Sequence, residues 1–219
     1  DALRRNLNGS WSSLKTDESV SKGITAALAV NDLAPAALAV VAETGLTNLK
    51  DPVLALLRSD TTPPAVQIAA IQAASTLGLE GSGQAVARRM SSKDAAVKQA
   101  ALAGLILQKE SQALGELLLS KEQPADVKQK IIDGMMQSSD GSVFVLRMLD
   151  TKKLDKALGD RAVAAAIEHP DVNVRLLFEK YIPENLRPKT LGQAFKPEEI
   201  LKLKGDIARG EQAFLRSGA

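Results

Sequence analysis

Apolar side chains recur at i, i+3, i+4, i+7 and i+8 in several stretches of this chain, the stripe of an amphipathic helix. One of them reads Ala65-Val66-Gln67, then Ala69, Ala70, Ile71, Ala73 and Ala74. A shift of 31 residues gives Ala96-Val97-Lys98, then Ala100, Ala101, Leu102, Gly104 and Leu105. A further 30 gives Asp126-Val127-Lys128, then Lys130, Ile131, Ile132, Gly134 and Met135. Stepping back 28 from the first gives Ala37-Leu38-Ala39, then Val41, Ala42, Gly45 and Leu46. Self-similarity at a near-constant period is the mark of a repeat architecture. In this frame a small residue (Gly45, Ala73, Gly104, Gly134) recurs at one slot on the apolar stripe. A glycine inside a helix costs about 1 kcal/mol against alanine, so the slot predicts close approach by a neighbouring helix.

Shorter apolar stretches lie between the copies, at Leu49 to Leu57, Ala85 to Met90, Leu114 to Leu119 and Val143 to Leu149. Each reads as the second helix of a hairpin. The separators, such as Asp60-Thr61-Thr62-Pro63-Pro64, Glu80-Gly81-Ser82-Gly83 and Lys121-Glu122-Gln123-Pro124, carry turn and helix-start residues. Nothing shows the sustained alternation of a strand. Paired helices that cannot bury their faces alone predict an all-α solenoid of ~30-residue hairpins. The frame resembles HEAT repeats of the short kind. His169-Pro170-Asp171-Val172-Asn173-Val174-Arg175 is similar to that family's Asp/Pro-then-Val-Arg helix start. The heavier Leu177, Phe178, Tyr181 and Ile182 that follow read as a closing repeat, because a terminal repeat must cover an otherwise exposed core.

Past Pro183 the periodicity fades, and Pro188, Gly192 and Pro197 break up the chain. The expected organisation is therefore a repeat stack over 1–183, a linker with a short helix over 184–204, and a separate unit beginning at 205–219. Pro197-Glu198-Glu199-Ile200-Leu201 reads as a helix start, with acids in its first turn. The last residues run Gly205-Asp206-Ile207-Ala208-Arg209-Gly210-Glu211-Gln212-Ala213-Phe214 before Leu215-Arg216-Ser217-Gly218-Ala219. Asp206 is a good N-cap, and Gly210 and Phe214 share one helix face. This is similar to the opening helix of small c-type cytochromes, where Cys-x-x-Cys-His follows within a few residues. Repeats, linker and ending together resemble the PVC-type haem-binding proteins, in which a HEAT-like region precedes a cytochrome c domain, often behind a sugar-dehydrogenase-like propeller. That resemblance implies haem c in an adjoining domain and an exported or periplasmic protein. The sequence also opens at Asp1 without a leader, which reads as a piece of something larger.

Composition narrows the chemistry. Hydrophobic residues make up 45% and aromatics only 3%, so the core must be built from Ala, Leu, Val and Ile. There is no Cys, which removes disulfides, thiolate catalysis and haem attachment within this sequence. A net charge of +2 lacks the dense basic footprint of a nucleic-acid binder. No run reaches the ~20 apolar residues of a membrane span.

Candidate chemical groups are few, and each has a plain structural reading. The sole histidine, His169, precedes a proline at a helix boundary and reads as a turn residue. Asp17-Glu18 and Glu198-Glu199 read as first-turn charges favoured by the helix dipole rather than as an acid–base pair. Arg88-Arg89 with Lys93 and Lys98, and Lys152-Lys153 with Lys156, are interleaved with Asp94, Asp150 and Asp155 and read as solvated helix ends. Gly81-Ser82-Gly83 lacks the Lys-Ser/Thr of a phosphate loop and reads as a hairpin turn, and Met135-Met136 reads as core. Accordingly no catalytic, cofactor-binding or metal-binding residue is assigned. The expected role is a non-catalytic scaffold that holds neighbouring domains of a cytochrome-bearing protein at fixed geometry and docks protein, with no nucleic acid and no membrane insertion. The alternatives are a free-standing peptide- or protein-binding solenoid, and a DNA-glycosylase-like or lyase-like enzyme on HEAT-like helices.

Overall fold

Short helices follow one another along the whole described chain. A computed structural model describes residues 2–187, together with 202, 206, 207 and 209–212. Over residues 2–187 there are twelve α-helices, five 3-10 turns and no strand, and residues 207 and 209–212 are helical as well. The helices are α1 (Ala2–Leu7), α2 (Glu18–Leu28), α3 (Ala34–Thr44), α4 (Lys50–Arg58), α5 (Pro64–Thr76) and α6 (Gly83–Arg88). They continue as α7 (Ala95–Leu107), α8 (Ser111–Leu119), α9 (Ala125–Met135), α10 (Ser139–Asp150), α11 (Lys156–Ile167) and α12 (Val172–Leu177).

They stack in two layers. Helices α1, α3, α5, α7, α9 and α11 form one layer, each against the one before it; α4, α6, α8, α10 and α12 form the other. The chain is therefore an all-α solenoid of helical hairpins. From α3 to α11 the helix starts are spaced by 30, 31, 30 and 31 residues. Counting from each start, the seventh residue is buried in every copy: Val40, Ala70, Ala101, Ile131 and Ala162. The eleventh is buried as well, as Thr44, Ala74, Leu105, Met135 and Ala166. This spacing of four is the inward stripe of a helix.

The burial pattern corrects the register of the first copy. Val40, Val41 and Thr44 occupy the places of Ala70, Ile71 and Ala74, so the shift there is 30 residues rather than 28. Gly45 is not in the small-residue slot. It ends α3 with φ of 72°, and no atom lies within 4 Å of where its Cβ would stand. The tenth-residue slot holds Glu43, Ala73, Gly104, Gly134 and Ala165. At Gly104 a Cβ would lie 2.6 Å from the Ser75 hydroxyl and 3.0 Å from Ile71 Cγ2, which is the close helix approach the glycine permits. The repeat copies in the sequence give no sign of α11, whose inward face is Leu158, Ala162 and Ala166, nor of α1 and α2.

Four helices end the same way. After α3, α5, α7 and α10 a left-handed residue is followed by an N–H that returns to a carbonyl five residues back: Leu46 to Val41, Leu79 to Ala74, Glu110 to Leu105 and Lys153 to Met148, at 2.9–3.1 Å. The left-handed residue is Gly45 and Gly78 in the first two, but Lys109 (φ 57°) and Lys152 (φ 54°) in the others. This is the Schellman arrangement, where glycine carries no Cβ penalty. At the far end Phe178 and Ile182 are buried while Leu177 is exposed, so only part of the heavier set closes the core.

Two predictions follow from the packing. Gly104→Leu should lower stability by more than the ~1–3 kcal/mol typical of an overpacked core, since even a methyl there collides. Gly81→Ala, at φ 79° in open space, should cost only about 1 kcal/mol; chemical denaturation of both variants makes the comparison. In the opposite direction, Lys109→Gly should stabilise by up to about 1 kcal/mol, read from the same denaturation midpoint.

Candidate functional site

The solenoid offers grooves rather than one deep cleft. One, about 620 Å³, lies between α7 and α9 and is lined by Lys98, Gln99 and Leu102, by Asp126, Val127 and Lys130, and by Met90 and Leu117. Another, about 550 Å³, is nearly apolar and lies across α1, α2 and α3, with Leu3, Ile24, Leu33 and Val40 in its walls.

The chemically capable side chains are largely engaged in holding helix ends. Arg89 is buried, 9% exposed, and not solvated as the basic cluster had implied. Its Nε and Nη2 donate to the Leu57 carbonyl at 3.1 and 2.6 Å, and Nη2 donates also to Ser59 O at 2.9 Å. The guanidinium thus closes the C-terminus of α4, where carbonyls lack helical partners and the dipole favours a cation. Asp60 pairs with Arg89 at 3.0 Å but is itself 93% exposed, so the carbonyl bonds dominate over the ion pair. Arg88, Lys93 and Lys98 remain on the surface. In the second basic cluster Lys152 holds a left-handed turn, and Lys156 makes only a loose pair with Asp160 at 3.8 Å.

Acids do the equivalent at helix starts. Asp17, Asp94, Asp155 and Asp171 each accept from backbone N–H groups in the first turn of α2, α7, α11 and α12. These bonds, from Val20 and then Ser19, hold the Asp17 carboxyl below the usual range. His169 belongs to the same local architecture. Its Nδ1 accepts from the Asp171 N–H at 3.1 Å, and Arg175 folds back onto the carbonyls of His169 and Pro170. The histidine is therefore a turn residue, as the Pro-flanked position implied. Gly81-Ser82-Gly83 is a turn leading into α6, with the Ser82 hydroxyl buried against Leu79 O and Gln108 Oε1. Met135 and Met136 are both core, at 2% and 3% exposure. Glu198-Glu199 lie outside the described residues. Asp206 does cap its helix, accepting from Arg209 N at 3.1 Å, while Ile207 stands 90% exposed.

A cluster that the sequence reading did not single out sits at the C-terminal end of the stack. Asp150, at the end of α10, accepts from Tyr181 Oη at 2.5 Å and pairs with Lys180 Nζ at 2.7 Å. These partners, Lys180 first, pull the Asp150 carboxyl below its ordinary value, and Asp150 in turn raises the Tyr181 phenol. An Asp thirty residues before a Lys-Tyr pair gives no local signal, so only the tertiary structure brings them together.

Among the described residues no group of three or more His, Cys, Asp or Glu is arranged to hold a metal, and no helix is long and apolar enough to cross a membrane. No protein-family model matches this chain, and no curated protein matches its sequence.

Arg89→Met should lower stability by about 2–3 kcal/mol, because it strips a charged donor from buried carbonyls. Asp60→Asn should cost under ~1 kcal/mol; thermal or chemical unfolding of the pair tests the division. Tyr181 is the only tyrosine, so phenolate absorbance reports it alone. Its midpoint should lie above the ~10 of a free phenol and fall toward that value in Asp150→Asn. Because the Asp150 pKa is depressed on folding, its stabilisation is complete above the ~3.9 of an unfolded aspartate and lost as pH falls through the folded value. The acid limb of a pH–stability curve should flatten in Asp150→Asn.

Proposed function

We propose that this chain is a non-catalytic helical-repeat scaffold within a larger exported protein that carries a c-type cytochrome domain. One observation supports it most directly: six charged side chains, Asp17, Asp94, Asp155, Asp171, Arg89 and Arg175, are bonded to the backbone of their own stack. Residues used this way set the geometry of a rod. The cytochrome reading draws on the likeness of Leu201 to Phe214 to the opening of such a domain. Asp206 caps that segment as the likeness requires. Ile207 stands 90% exposed, and among the described residues no atom outside the helix backbone lies within 4 Å of where a Cβ on Gly210 would stand.

The groove between α7 and α9 favours a second reading, a solenoid that binds a peptide or protein on its own, since it combines an apolar floor with charges of both signs. The two readings separate on the natural protein isolated from its source. Haem absorbance co-migrating with the polypeptide, in an extracytoplasmic fraction, is expected for the scaffold. A haem-free natural polypeptide would leave the free-standing binder as the reading to pursue.

A further inference from the structure

At two junctions of the first layer the tenth residue of one helix packs against the twelfth of the helix before it. Between α5 and α7 these are Gly104 and Ser75, a small knob in a glycine hole. Between α7 and α9 they are Gly134 and Ile106, and a Cβ on Gly134 would lie 2.7, 2.7 and 2.8 Å from three Ile106 side-chain carbons. Here α7 and α9 meet along a shorter stretch than α5 and α7 or α9 and α11, and a groove lies beside that contact.

Side-chain ties show the same gap. Gln108 on the end of α7 donates to Ser75 of α5 at 2.8 Å. Arg161 of α11 grips Asp133 of α9 with two bonds, at 2.7 and 2.5 Å. Helices α3 and α5 have no such tie but meet along most of their length. Between α7 and α9 there is neither a long contact nor, among the described residues, any side-chain hydrogen bond or ion pair. The Asp126–Lys130 pair at the groove lies within α9 alone, at 3.9 Å, and holds neither wall to the other.

We propose that Ile106 props α7 and α9 apart and that the solenoid bends at this one joint, with the Ile106–Gly134 contact as pivot between a block from α3 to α7 and a block from α9 to α12. Bending changes the width of the groove between Leu102 and Val127, so that whatever fills the groove and the angle between the blocks are coupled. Few contacts and no polar tie place this junction at the low-stability end of the stack. The inference does not depend on the partner proposed above, because it concerns only contacts within the chain.

The absence of cysteine makes site-specific spin labelling direct. One labelled pair, Ala36→Cys with Ala103→Cys, spans α5 inside the first block. The other, Ala103→Cys with Ala164→Cys, spans α9 and crosses the joint; all three sites are exposed. A single narrow distance is expected for the first pair and a clearly broader distribution for the second. Equal widths would overturn the proposal. Ile106→Ser, which installs the residue that α5 carries at that position, should shorten and narrow the second distance while leaving the first unchanged. If that variant loses its helical circular dichroism, Ile106→Val trims the same prop and is read in the same way. An unchanged second distance in a folded variant would rule out Ile106 as the pivot.

Discussion

No helix among the described residues is longer than 13 residues, and several have six. In water, helices shorter than ~12–15 residues are marginal even with good helix formers, because nucleation is costly. Every helix here therefore depends on the face its neighbour offers. The seventh and eleventh positions of α3, α5, α7, α9 and α11 supply that face, copy after copy. Stability in such a stack is a sum over neighbouring contacts, and a weak contact stays local rather than being averaged over one core.

Many short helices also mean many helix ends, each with unpaired backbone groups. The chain answers with aspartates at the starts of α2, α7, α11 and α12, left-handed turns after α3, α5, α7 and α10, and one arginine turned inward onto the end of α4. Part of the charge of a chain with 25% charged residues is thus placed by the recurrence of helix ends.

Gly104 against Ser75 and Gly134 against Ile106 are equivalent by position, yet α5 and α7 meet along a longer stretch than α7 and α9. The groove of about 620 Å³ lies at the second of these junctions.

Read alone, the sequence determined the helical period, the hairpin pairing from α4 to α10, the turn role of Gly81 and His169, and the core role of Met135, because apolar spacing and turn chemistry are local properties. Alanine-rich α11 was passed over, since small apolar residues on all sides of a helix blur its stripe. The register of the first copy was misjudged because a glycine that ends a helix and a glycine that admits a neighbour look alike as letters. Burial of Arg89, the meeting of Asp150 with Lys180 and Tyr181, and the opening between α7 and α9 were decided only by the tertiary structure. Each depends on which residues of successive repeats face one another, and a repeat specifies the period of such contacts without specifying the size of the side chains that meet.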